Sequence, residues 1–103
     1  HLASPPPIYA SNSADGVEDS VSHAAIPAKA LAEIGERLAL LIAIELMIGA
    51  QAAELRGVEI APKCRPLIAR IREHCPPLGD QDRSLTAEIE ALAAEISAGR
   101  LIP

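Results

Sequence analysis

The sequence predicts an all-α chain built around one long apolar helix, a piece of a larger oligomeric helical bundle. Three observations predict it. A run from about Lys29 to Arg56 is rich in Leu, Ile and Ala, and its middle, Leu38-Ala39-Leu40-Leu41-Ile42-Ala43-Ile44-Glu45-Leu46-Met47-Ile48-Gly49-Ala50, is apolar on nearly every side. A surface helix shows one apolar stripe and one polar face, so a helix apolar all round calls for neighbours on all sides. The chain is 50% hydrophobic yet Tyr9 is its only aromatic residue, so its core is aliphatic and packs helix against helix. Finally, 103 residues allow one domain. Two short helices can cover one side of such a pillar and leave a large apolar surface, which soluble monomers avoid.

The first segment, residues 1–16, reads as an extended arm. Pro5-Pro6-Pro7 forbids helix, and Ser11-Asn12-Ser13-Ala14-Asp15-Gly16 is turn chemistry. Residues 17–103 read as helical. A short helix is expected over about 18–26, capped by Asp15 or Gly16, with Glu18 and Asp19 at the positive end of its dipole. Pro27 would break it. The long helix follows over about 29–56, roughly 42 Å at ~1.5 Å per residue, and Gly57 ends it. Gly35 and Gly49 inside it mark sites of close helix approach. A third helix is expected over about 63–74, with Pro66 tolerated in its first turn and Leu67, Ile68 and Ile71 on its apolar face. Pro76-Pro77 ends it. A fourth, over about 87–98, has Thr86 as its N-cap, an inner stripe of Ile89, Leu92, Ala93 and Ile96, and Gly99 as its stop.

Composition excludes several classes of function. A net charge of −5 with scattered basic residues and no interleaved aromatics offers no phosphate-binding surface, so no nucleic-acid partner is expected. Glu45 at the centre of the pillar, with Gln51 and Glu54 after it, argues against a membrane span. No signal peptide is visible. Cys64 and Cys75 are eleven residues apart, about 16 Å along a helix and too far for a disulfide, which suits a reducing, cytoplasmic setting.

Three groups of residues carry candidate chemistry. Gly16-Val17-Glu18-Asp19-Ser20-Val21-Ser22-His23 gathers two acids, two hydroxyls and a histidine at an expected helix start, where free backbone N–H groups favour ligands; ordinary capping by solvent-facing acids explains the same pattern. Glu45 in the apolar pillar must be paired or protonated if buried, and a structural ion pair or hydrogen bond to another helix is the simpler account. Cys64, His74 and Cys75, with His23 elsewhere, lack any CxxC or HxxxH spacing, so no metal site is expected and the cysteines read as small core residues. There is no nucleophile elbow or phosphate-binding glycine loop. The chain alone holds no complete catalytic set.

A series of segments resembles the C-terminal part of the histidine/aromatic amino-acid ammonia-lyase family. It runs through Val17-Glu18-Asp19-Ser20-Val21-Ser22-His23-Ala24, Ala43-Ile44-Glu45-Leu46 and Ala50-Gln51-Ala52-Ala53-Glu54-Leu55-Arg56. It continues through Ile71-Arg72-Glu73-His74-Cys75-Pro76-Pro77-Leu78, Asp82-Arg83 and Thr86 to Leu92. The resemblance implies a mostly helical homotetramer, with upstream helices of the same enzyme and other subunits as the partners of the pillar. It implies elimination of ammonia from an α-amino acid in amino-acid catabolism. The family's electrophile is a methylidene-imidazolone ring made from an internal Ala-Ser-Gly. That tripeptide is absent here: Ser97-Ala98-Gly99 has the wrong order and Ala10-Ser11-Asn12 lacks the glycine. The chain should therefore hold no cofactor and be inert alone.

One catalytic residue carries over. Histidine lyases have a Gln-Glu-Asp-His stretch whose Glu faces the active site, and Glu18 matches that Glu, with Asp19 matching the Asp. A carboxylate there can hydrogen-bond the substrate or move a proton. Plant-type phenylalanine lyases carry Gln at that place, so Glu18 leans toward histidine. Val17 for Gln, Ser20 for His and His23 for the common Met are departures that leave the substrate, and lyase against aminomutase, open. The alternative reading is a stand-alone helical oligomerisation module without catalysis; a metal-binding regulator ranks last.

Overall fold

The computed structural model describes residues 11–12, 20–21, 23–57, 59–80 and 82–101. Their elements in order are β1 (Ser11–Asn12), β2 (Ser20–Val21), α1 (Ala25–Leu55), α2 (Arg65–His74) and α3 (Thr86–Ser97). The class is all-α. The two strands are a minimal antiparallel ladder with Ser11 opposite Val21 and Asn12 opposite Ser20. The chain forms two compact units, residues 1–37 and 38–103.

In the first unit the separate helix expected over 18–26 is not found among the described residues. Ser20 and Val21 pair as β2, and a β-branched Val suits that role. His23 has a left-handed φ of 48°, which stops helical geometry from extending back past it. Pro27 does not break a helix but sits third in α1. The first-turn N–H groups of a helix have no intrahelical acceptor, so proline loses nothing there. The His23 carbonyl accepts from the Ile26 N–H at 2.8 Å and the Ala24 carbonyl from the Ala28 N–H at 3.1 Å, closing that first turn. The long helix thus absorbs the end of the expected short one. Its 31 residues amount to roughly 46 Å.

The second unit holds the core. Ala39, Ala43, Met47 and Ala50 recur at helical spacing on one face of α1 and pack with Ile71, Cys75, Leu92, Ala93 and Leu101. Three of the four α1 residues in this core are alanines. Leu38, Leu41, Ile48 and Leu55, away from that face, are 52–77% exposed. The aliphatic core is therefore one-sided, and much of the apolar pillar is bare in this chain.

The short helices are ended by the residues the sequence names. Arg72 and His74 occupy the last turn of α2, where cations suit the helix dipole, and Pro76-Pro77 follow. Thr86 is the first residue of α3 rather than its cap; Leu85 is the N-cap and gives no side-chain bond. At the other end Gly99 takes φ 66°. Its N–H donates to the Ile96 carbonyl and that of Arg100 to the Glu95 carbonyl, both at 3.0 Å, a left-handed closure that returns Leu101 to the core.

Candidate functional site

Glu18 and Asp19 lie outside the described residues. β1 and β2 bracket the segment that carries them, since the ladder joins Asn12 to Ser20. Ser20 is in β2, and His23 stands just before α1.

The second unit contains a polar joint centred on Arg72. Its guanidinium donates to both carboxylate oxygens of Glu54, at 3.1 and 2.6 Å, to the Gln51 amide oxygen at 3.2 Å, and to the Cys75 carbonyl at 2.9 Å. Gln51 reads the backbone of Leu78 in both directions: its amide nitrogen donates to the Leu78 carbonyl at 3.3 Å, and its oxygen accepts from the Leu78 N–H at 2.9 Å. Gln51 and Glu54 are three residues apart on α1, so they share a face. The hydrogen bond from Arg72 holds the Glu54 carboxyl below its ordinary value, against a smaller opposing effect of burial. These groups are used up in joining α1 to the end of α2 and the loop after it. The arrangement is structural, with no nucleophile and no open donor set.

A second joint secures α3. Arg83 pairs with Glu88 and donates to the Pro76 carbonyl at 3.1 Å. The Cys75 thiol donates to the Glu88 carbonyl at 3.6 Å. Burial pushes that thiol up from its ordinary value, and the nearby Glu88 charge adds to the effect. A third joint links Arg100 to Glu95 at 2.8 Å, and that bond lowers the Glu95 carboxyl and raises the guanidinium.

Two further expectations change. Glu45 is exposed, not buried, and among the described residues no side chain pairs with its carboxylate. Cys75 is a core residue, but Cys64 is exposed at the start of α2, where turn geometry and not packing places it. No three His, Cys, Asp or Glu residues come together among the described residues. Cys64 and Glu45 instead line an apolar groove of about 380 Å³ beside the second half of α1, with Gly49, Ala53, Ile60 and Ile68 on its walls. Arg56 and Glu59 also line it. Sequence periodicity gave no sign of this groove, because Ile60 and Ala61 come from a connector without period.

The described part is thus helical scaffold: a one-sided core, polar joints at its ends, and an exposed apolar face. The chain matches the family model described as aromatic amino acid lyase over residues 1–73, and it belongs to that family. It is 37% identical to a histidine ammonia-lyase of Symbiobacterium thermophilum over 98% of this chain and 20% of the relative. It is 36% identical to a tyrosine ammonia-lyase of Cupriavidus metallidurans over 98% of this chain and 19% of the relative. A probable histidine ammonia-lyase of Thermoplasma volcanium is 36% identical over 82% of this chain and 17% of its own length. The chain therefore spans about a fifth of the length of these relatives. No solved structure matches it.

Proposed function

We propose that the chain is the C-terminal helical segment of an ammonia-lyase that removes ammonia from an α-amino acid, with histidine the favoured substrate. The observation that carries this is the match of nearly the whole chain to about a fifth of relatives named as histidine and tyrosine ammonia-lyases. In this reading Glu18 supplies one active-site carboxylate that hydrogen-bonds the substrate or moves a proton. The rest of the active site comes from upstream in the same enzyme and from other subunits of a homo-oligomer, a tetramer in the family. The methylidene-imidazolone electrophile does not fit this chain, which has no Ala-Ser-Gly; Ser97-Ala98-Gly99, in the wrong order, is spent on ending α3. The chain alone is inert.

α1 is long and apolar enough to cross a membrane by length and composition, with a mean hydropathy of 1.8. Glu45 within it and the ammonia-lyase relatives support the cytoplasmic reading, in which other helices cover it. The bare face of α1 equally suits a stand-alone oligomerisation module, the second reading.

The test joins the chain to an upstream lyase segment and follows the absorbance of the α,β-unsaturated acid formed from histidine and from tyrosine. Elimination by the joined enzyme and none by the chain alone is the expected result. Glu18→Gln should lower turnover by about 10²-fold or more with assembly unchanged. A joined enzyme inert toward both amino acids overturns the lyase reading, and unchanged turnover in the variant removes the role of Glu18.

A further inference from the structure

The groove beside the second half of α1 lies on the flank of that helix and not on its bare face. Glu45, Gly49, Ala53 and Arg56 line it at steps of four, four and three residues. The exposed Leu41, Ile48 and Leu55 stand seven apart in a different row. Covering the bare row does not by itself fill this flank. One wall of the groove is held in place. Arg65 donates to the Ile60 carbonyl at 3.1 Å and pairs with Glu59 at 2.6 Å, and the Cys64 N–H donates to the Ala61 carbonyl at 2.8 Å. The connector is thus fixed in its course, and sites for small molecules are usually formed in advance in this way. A Cβ placed on Gly49 would meet nothing within 4 Å, so the floor is open. The volume of about 380 Å³ is at the small end of the ~300–1,000 Å³ typical of such sites, which suits one ring with a short chain.

The charges in the groove select the ligand. Arg56 and Glu45 have no partner among the described residues. Arg56 stands where α1 closes, its N–H donating to the Ala52 carbonyl at 3.2 Å and Gly57 turning with φ 63°. An unpaired guanidinium is suited to a carboxylate, which it grips with two parallel bonds. Glu45 is eleven residues earlier, about 16 Å along the helix. The two side chains take up part of that length, and Ala53 and Ile60 offer apolar surface to what lies between. At the far end the Glu45 carboxylate accepts an N–H or O–H. An α-amino acid suits the groove less well. Its ammonium sits beside its carboxylate, and Glu59, the other acid lining the groove, is already taken by Arg65.

We infer that the groove binds a flat, ring-substituted propenoic acid, its carboxylate on Arg56 and the N–H or O–H of its ring on Glu45. This is the class of molecule left when histidine or tyrosine loses ammonia. The inference therefore rests on the proposed function for its choice of ligand, and it gives the chain a site for the enzyme's own product.

The experiment is calorimetric titration of the full chain with 3-(imidazol-4-yl)propenoate and with 4-hydroxycinnamate, beside labelling of Cys64, which is exposed and lines the groove. Arg56→Gln should weaken both acids by about tenfold or more at unchanged helical circular dichroism. Glu45→Gln should weaken both by about threefold and leave cinnamate, which has no ring donor, unchanged. Gly49→Leu, which fills the floor, should abolish binding. Histidine and 4-hydroxycinnamyl alcohol should each bind about tenfold more weakly than the acids. Either acid should protect Cys64 from a thiol reagent in the parent and not in Arg56→Gln. Binding that ignores Arg56→Gln, an alcohol that binds as tightly as the acid, or Cys64 labelled equally fast with and without the acid each overturns the site. Acids bound by the chain while the joined enzyme is inert would sink the lyase reading and leave the site standing; turnover by the joined enzyme with no acid bound to the chain would do the opposite.

Discussion

Removing Arg72 tests whether the polar joint holds the second unit together. The side chain is only 13% exposed and Glu54 is 32% exposed, so the pair is partly shielded from solvent. Hydrogen bonds to charged groups contribute about 1.5–3 kcal/mol in folded proteins, while exposed ion pairs contribute about 0–1 kcal/mol. Arg72 makes two bonds to a partly exposed carboxylate and one each to Gln51 and the Cys75 carbonyl. In Arg72→Ala, water reaches Glu54, and Gln51 keeps its two bonds to Leu78, so the loss should be about 2 kcal/mol. For a domain of this size that is roughly 8–16 °C in Tm. Arg72→Lys keeps the charge but not the two-pronged geometry, and should fall between. The assay is thermal and urea unfolding followed by far-ultraviolet circular dichroism, with Glu54→Ala and the double variant completing a cycle. A coupling near 1 kcal/mol is expected. Strict additivity, to within about 0.3 kcal/mol, would refute the argument, because it would mean the two side chains contribute nothing to each other.

The remaining predictions follow from burial and charge. Glu54 has a folded pKa below its unfolded one, so its contribution is present above the unfolded value and is lost as pH falls through the folded value; stability should decline below about pH 5. Arg72→Ala should flatten part of that decline, and an acid titration that is identical in both proteins would contradict it. Leu92 has no exposed surface, so Leu92→Ala should cost about 2–5 kcal/mol in urea unfolding; a change under about 1 kcal/mol would show that the site closes over the cavity. A thiol reagent should label exposed Cys64 at once and Cys75 only on unfolding, since burial both covers that thiol and keeps it protonated. Equal rates would place Cys75 at the surface.

The helical class, the aliphatic core and the ends of α2 and α3 were legible because each has a local cause. Ile71, Leu92 and Ala93 are buried as their spacing predicts, and Gly99 and Pro76 act where they stand. The start of α1 was not legible. Proline signals a break from inside a helix and a beginning from its first turn, and only the left-handed His23 decides which. Nor was the fate of Glu45. The sequence places an acid among leucines, which implies burial only if something covers that face, and the covering is not local information. The assignment of Glu18 rests on resemblance alone, and the residue lies outside the described structure. Glu18 has no periodic or packing signature that separates a catalytic carboxylate from an ordinary cap, and the described structure begins its continuous course at His23.

The polar residues among the later resemblance segments of the second unit have a common physical role. Gln51, Glu54 and Arg72 form one joint, Leu78 is held by it, and Arg83 with Glu88 forms the next. A joint of this kind needs particular side chains: a fork that spans two carboxylate oxygens, and an amide that both donates to and accepts from one residue's backbone. Aliphatic packing makes weaker demands, since residues of similar volume exchange at a cost usually below about 1.5 kcal/mol. Side chains held in such joints are therefore harder to exchange than the aliphatic ones around them. The same logic separates the two halves of the functional argument. Gln51 and Arg72 identify the scaffold and would be kept by an inert oligomerisation module as well as by a lyase. Glu18 and Asp19 lie outside the described residues, and kinetics of Glu18→Gln separates the two readings in a way that stability measurements on the joints do not.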